Sequence, residues 1–341
     1  MTVQHITATL ALAALLCSCS DNGNTDSSTL FTRRTYPYAI AHGNGYYYTM
    51  QDTTNACIRL WHATDLHDLA SDTGKVIWQP SDTSGMRNIW SPEIHRINGK
   101  WYVYYEADDG NTDNHHINVL ENASADPMQG HFTHKGVVTT NREWNWSIHP
   151  STFTVKDRQY LVWSGWPKRR AEEETQCIYI AAMKNPWTIG SERVMISRPD
   201  YEWERQWINP DGSRSAYPIY VNENPEPVMS RDGRHIIICY AASANWTVYN
   251  VTGMIYANVD SDLLNPASWH KRATPVFMSR PGSGFFGACN ISVVGSADGK
   301  TTWLLYETKQ QEGSEYVKSI RLKRMQWDAD GFPVFGTPGA K

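Results

Sequence analysis

The chain repeats one short pattern five times. An Asx-containing turn signal followed by an aromatic or β-branched run appears as "NGYYYTM" from Asn44, "NGKWYVYYEA" from Asn98, "DRQYLVWSGW" from Asp157, "DGRHIIICYAAS" from Asp232 and "DGKTTWLLYET" from Asp298. Each reads as half of a β-hairpin. The starts lie 54, 59, 75 and 66 residues apart, so five units fill most of the 341 residues. A second strand candidate and a polar corner follow each run: "CIRLWHATDLHDL", "HINVLENASADPMQG", "CIYIAAMKNPWTIG", "GMIYANVDSDLLNPASW" and "KSIRLKRMQWDADG". No segment carries an amphipathic helix of three or more turns. The unit is too long for a solenoid coil, and a sandwich has no need of the same order of elements five times. Repeated four-stranded units are stable when set radially around a channel, which predicts an all-β five-bladed β-propeller.

The composition suits such a fold. It is 40% hydrophobic, with 15 Trp and 18 Tyr, enough for a large core with aromatic faces to spare. A net charge of -4 and the lack of a Lys/Arg run argue against nucleic acid as a partner. The first residues read as a processing segment. "ITATLALAALL" from Ile6 to Leu16 is apolar but too short for a mature membrane span, and Leu16-Cys17-Ser18-Cys19 resembles a bacterial lipobox with Cys19 as the lipidated residue. "MTVQH" lacks Lys and Arg, and an ordinary secretory signal is the alternative reading. The expected organisation is a signal peptide over residues 1–19, a flexible tether over 20–31 and the propeller over 32–341. The protein is then an exported bacterial lipoprotein, monomeric, periplasmic or at the cell surface, touching the membrane only through its lipid. Cys57, Cys177, Cys239 and Cys289 remain, without metal-site spacing, and read as free buried thiols.

In a propeller the first strand of each blade lines the channel, and here it must lie just upstream of each turn. Counting back seven to nine residues gives Tyr36, Ser91, His149, Glu223 and Asn290. These five are expected to converge. Strand alternation puts Tyr38 with Tyr36 and Glu93 with Ser91. The pocket is therefore polar and carries at least one carboxylate.

"IWSPEIHRINGKWYVYYEADDG", "YLVWSGW", "CIYIAAMKNPWTI", "VNENPE" and "RMQWDADGFPVFG" together resemble glycoside hydrolase family 43, particularly its arabinofuranosidase-like members, from about Thr32 to Pro338. The resemblance implies a five-bladed propeller acting on furanose or pentopyranose linkages of plant polysaccharides, usually by inversion. Inverting hydrolysis uses a protonated acid and an ionised base on opposite faces of the sugar. The family adds a third carboxylate that orients the acid and raises its pKa. "VNENPE" matches the acid motif and places the acid at Glu223. The resemblance also exposes three replacements. The base is the Asp of an Asp-Pro step, here Tyr36-Pro37. The tuning Asp is His149 in "WSIHPSTF". The His that often holds a central metal is Cys289 in "ACNIS", which argues against a metal or any other cofactor.

An unperturbed tyrosine, with a pKa of about 10, does not replace an aspartate base near neutral pH. Several routes stay open. Tyr36 is a candidate nucleophile, as in sialidases, activated by Glu223 or His149. Glu93, Glu106, Asp108 and Asp109 are candidates for the missing base, and substrate assistance needs none. The contrasting class is a catalytically inactive glycan-binding lipoprotein. The retained Glu223 favours a glycosidase acting on a plant-type glycan. Trp90, Trp146, Trp166 and Trp246 are candidates for stacking on sugar rings, with Ser91, Glu93 and Asn290 as polar contacts.

Overall fold

The computed structural model describes residues 28–142, 146–168, 173–280, 282–313 and 315–339. Five antiparallel sheets follow one another along the chain. Blade 1 is built from Tyr38–His42, Gly45–Gln51, Ile58–Ala63 and Lys75–Trp78, in that order from the axis outward. Blade 2 follows with Arg87–Ile97, Lys100–Asp108, His116–Asn122 and Thr133–Val137. Blade 3 uses Ser147–Val155, Arg158–Gly165, Glu174–Asn185 and Val194–Ser197. Ile219–Met229, His235–Ala242, Val251–Asn258 and the two-residue His270–Lys271 make blade 4. Its first strand also pairs in parallel with Glu174–Gln176 of blade 3.

Blade 5 closes the ring. Phe286–Gly295, Thr302–Glu312 and Glu315–Trp327 come from the end of the chain, but the outer strand is Ser28–Thr32, antiparallel to Glu315–Trp327. Residues 28–31, expected to be tether, are therefore part of the propeller. "STLFT" is too short to announce a strand by alternation, and it gains its backbone partners only when the far end of the chain is in place. Cys17, Cys19 and the rest of the expected signal and tether lie outside the described residues.

Each gap between blades is filled by one apolar layer. Tyr47, Ile58 and Leu60 meet Ile94, Trp101 and Val103 between blades 1 and 2, and Tyr102 and Tyr104 meet Trp163 and Tyr179 between blades 2 and 3. Val162 and Ile178 pack on Ile236 and Ile238 between blades 3 and 4, and Ile237 and Met254 on Ile291 and Leu304 between blades 4 and 5. The last layer joins Tyr48 and Trp61 of blade 1 to Leu305 and Ile320 of blade 5, and Leu30 of the N-terminal strand is part of it. The alternation of each strand supplies one face to each neighbouring layer. Cys57, Cys177, Cys239 and Cys289 are buried free thiols in this framework.

Closure by the N-terminal strand makes a prediction. Leu30→Ala removes a core side chain from the layer that joins the first and last blades, with an expected loss of about 2–5 kcal/mol. The control Val334→Ala, at a position 42% exposed, is expected to change little. Urea unfolding of both variants checks this. Equal stability would mean that residues 28–32 do not hold the ring shut.

Candidate active site

The innermost strands share an irregularity that sets the site. The ladder slips by one residue between Trp90 and Glu93, between Ile148 and Ser151, between Glu223 and Glu226, and between Cys289 and Ser292. At each slip one residue takes a left-handed backbone: Ser91 (φ 44), His149 (φ 51), Asn224 (φ 50) and Asn290 (φ 44). Tyr36 (φ 55), two residues before the first strand of blade 1, does the same. Proline follows four of the five, as Pro37, Pro92, Pro150 and Pro225. A residue without an N–H is tolerated there because the bulge interrupts the ladder. The bulge turns the side chains beside it toward the axis.

This ring corrects one member of the expected set. Tyr36, Ser91, His149 and Asn290 are equivalent residues, but their counterpart in blade 4 is Asn224, not Glu223. Glu223 precedes the bulge and reaches the same place by alternation. Its neighbour Asn222 is pinned the other way, donating to Glu204 at 2.9 Å and accepting from Ser197 at 2.6 Å.

The convergence itself is real. The Tyr36 and His149 rings pack with centroids 4.6 Å apart, His149 Nδ1 lies 3.7 Å from Glu223 Oε2, and His149 Nε2 lies 3.8 Å from Glu106 Oε1. The Tyr36 hydroxyl accepts a 2.8 Å hydrogen bond from Asn245 Nδ2. On the blade 5 side Glu307 accepts from Asn290 Nδ2 at 3.0 Å and from Thr35 Oγ1, and pairs with Lys318 at 3.3 Å. Among the described residues Ser91 Oγ, Glu223 Oε1, Asn290 Oδ1, Lys309 Nζ and both His149 nitrogens are buried without a hydrogen bond. Such groups are costly to leave unmatched, and hydroxyl-rich ligands match them.

Burial sets the protonation states. It pushes Glu223 up to about 8, with Glu307 and Glu174 adding to the shift and Lys318 and Lys309 opposing it. Burial also lifts Glu106 well above the usual carboxylate range. His149 is pulled down to about 3 by burial and stands neutral, so it does not replace the charge of a tuning aspartate. Burial first, then Glu223, Glu307 and Glu106, drives the Tyr36 phenol well above its ordinary value. Glu307 goes the other way: burial opposes ionisation, but Lys318, Lys309 and the two hydrogen-bond donors hold it below the usual range.

The other expected residues fall in several places. Glu93 lies two residues beyond the bulge and bonds to His95 at 3.1 Å, whose Nδ1 meets the Tyr38 hydroxyl at 3.1 Å. Burial and the nearby Glu226 raise its pKa well above normal. Asp108 is held by Asn88 at 2.9 Å and by the Gly110 amide, while Asp109 sits on an exposed turn bonded to Asn111 and Asn114. Trp146 and Trp166 stack on each other at 4.1 Å, nearly fully buried, beside Ile148. Trp90, packed at a tilt on His115 with centroids 4.0 Å apart, and Trp246, next to Asn245, are half-buried. The Cys289 thiol donates to Asn250 Oδ1 and lies 3.2 Å from the Gly287 carbonyl, and burial keeps it protonated. Among the described residues no three His, Cys, Asp or Glu side chains are grouped to hold a metal ion.

Comparison with known proteins fits this geometry. The model of the glycosyl hydrolases family 43 matches residues 29–333. The chain belongs to that family. It is 33% identical over 361 residues to an extracellular exo-alpha-(1->5)-L-arabinofuranosidase of Streptomyces avermitilis, covering 100% of this chain and 71% of that protein. It is 31% identical over 345 residues to alpha-L-arabinofuranosidase 43 of Humicola insolens, covering 97% of this chain and 68% of that one. The crystal structure of alpha-L-arabinofuranosidase from Lactobacillus brevis superposes with a TM-score of 0.79 at 29% identity, over 91% of this family 43 chain and 95% of its own.

Sequence reasoning missed Glu307, Lys309 and Lys318, because outside blade 2 it looked only at innermost strands. Glu307 and Glu106 sit on second strands, opposite Cys289 and Trp90 in the residue pairs that precede the slip. The shared Tyr-Glu of "VYYEAD" and "LLYETK" was the available signal.

Proposed function

We propose that the protein is an exported glycosidase that removes arabinofuranosyl residues from plant polysaccharides or oligosaccharides, with Glu223 as general acid. The observation that carries the reading is Glu223 itself: an intact "VNENPE" segment brings a carboxyl that keeps its proton to about 8 into a ring of unmatched polar groups. A general acid must hold its proton at the working pH and release it as the leaving oxygen gains charge. The arabinofuranosidase relatives support the sugar, and the extracellular location of the Streptomyces avermitilis protein supports export. Tyr36 acts as a neutral hydrogen-bonding group in this reading, since burial among carboxyls opposes the phenolate a nucleophile requires. The competing reading, a glycan-binding protein without activity, draws on the replacements at Tyr36 and His149.

Leaving-group dependence separates the two. Wild-type protein is expected to cleave arabino-oligosaccharides, with kcat/KM falling above about pH 8 as Glu223 loses its proton. Glu223→Gln is expected to lose about 10²–10⁴-fold on oligosaccharides, to lose much less on aryl arabinofuranosides and to show no such alkaline fall. Binding without cleavage across both substrate types would establish the binding protein instead.

The anchor is part of the proposal: Cys19 carries the lipid that tethers the propeller to a membrane. Wild-type protein expressed in a bacterial host is expected to partition with detergent and Cys19→Ala with the aqueous phase. Identical partitioning would leave an ordinary secretory signal.

A further inference from the structure

The site retains an acid, but the position that holds the family's base is a tyrosine. Among the carboxyls around Tyr36, only one is equipped to stay charged. Glu106 and Glu223 face neutral His149 at 3.8 and 3.7 Å, and among the described residues neither lies within ion-pairing distance of a lysine or arginine. Glu307 instead pairs with Lys318 at 3.3 Å and accepts hydrogen bonds from Thr35 and Asn290, all on one carboxylate. Thr35 immediately precedes Tyr36, so its bond ties Glu307 to the chain segment where the base is expected.

Glu307 itself is fully buried, and a surface pocket lies beside the residues that hold it. A pocket of about 250 Å³ is lined by Arg33, Arg34, Thr35 and the segment Glu315–Lys318. Thr35 and Lys318, two of the three residues that hold Glu307, form part of its wall. The hydrogen bonds from Thr35 and Asn290 both go to Oε2, while Oε1 faces Lys318 Nζ at 3.3 Å and is buried with no hydrogen bond. That oxygen keeps a lone pair for a water molecule.

We infer that Glu307, delivered from the second strand of blade 5, is the general base of this enzyme, replacing the aspartate that the family carries at position 36. The inference rests on the glycosidase reading above. In the reaction a water O–H bond breaks, its proton passes to Glu307 Oε1, and the water oxygen bonds to the anomeric carbon. The bond from that carbon to the leaving oxygen breaks, and the leaving oxygen takes the proton of Glu223. One water is consumed, the anomeric centre inverts, and the two carboxyls exchange protonation states until solvent restores them. Lys318 is a positioning residue, keeping Glu307 charged, and Tyr36 and Asn245 fill the space the aspartate leaves.

The test uses the full-length protein with p-nitrophenyl α-L-arabinofuranoside, whose good leaving group relieves Glu223 of most of its role. Glu307→Ala and Glu307→Gln are expected to lower kcat about 10³-fold with KM within about threefold, and to lose the acidic limb of the pH profile. Sodium azide is expected to restore turnover of Glu307→Ala and to yield the β-configured arabinofuranosyl azide. Lys318→Met keeps the carboxylate but removes its counter-charge, and is expected to move the acidic limb to higher pH. Thermal melting of each variant separates loss of catalysis from loss of fold. Active wild type with a Glu307→Gln variant within tenfold of it would overturn the assignment and leave the glycosidase standing. So would a folded Glu307→Ala that azide does not rescue, or an acidic limb that Lys318→Met leaves in place. Wild type that cleaves neither aryl nor oligosaccharide substrates would overturn the glycosidase reading and this assignment together.

Discussion

The site depends on one backbone constraint, the left-handed residue that each innermost strand carries at its bulge or, in blade 1, two residues ahead of the strand. For a residue with a Cβ this conformation costs roughly 1–2 kcal/mol, and here Tyr36, Ser91, His149, Asn224 and Asn290 all adopt it. Five such residues persist because the five apolar layers between blades fix both flanks of every bulge. Strain of this kind concentrates where a side chain must be aimed. In this chain it packs the Tyr36 ring on His149 beside Glu223 and turns Asn290 to Glu307.

Burial then decides the chemistry. The same desolvation acts on every ionisable group at the axis, and the neighbours determine which ones resist it. Glu223 and Glu106, opposite a neutral imidazole, keep their protons. Glu307, beside Lys318, gives its proton up. In the proposed reaction, acid and base roles are thus pushed apart without the family's two aspartates. The Glu223 carboxyl is raised by its dry surroundings, with Glu307 and Glu174 in support, and not by a charge at position 149.

Much of this was legible in the order of residues. Asx turns followed by aromatic runs revealed the blades, because a tight hairpin leaves a local signature. Counting back from those turns reached Tyr36, Ser91, His149 and Asn290. It went one residue wrong in blade 4: Asn224 lies eight residues before its turn, as Tyr36, His149 and Asn290 do, and Glu223 lies nine. The acid motif "VNENPE" separately marks Glu223, one residue before the equivalent position. Two features went unread for physical reasons. The strand Ser28–Thr32 has no partner within 280 residues of chain, so nothing local marks it. Glu307 serves the site from a second strand, and its ion pair with Lys318 exists only after blade 5 has folded.

The central claim is that a buried neutral tyrosine at position 36 leaves the work to a protonated Glu223 on blade 4 and an ionised Glu307 on the neighbouring blade 5. The anomer first released from an α-1,5-linked arabino-oligosaccharide tests it most directly, followed by proton NMR within the first minutes of reaction. The account predicts β-arabinofuranose at early times, with the α-anomer growing in only by mutarotation. Early appearance of the α-anomer would mean retention through a covalent intermediate and would contradict it.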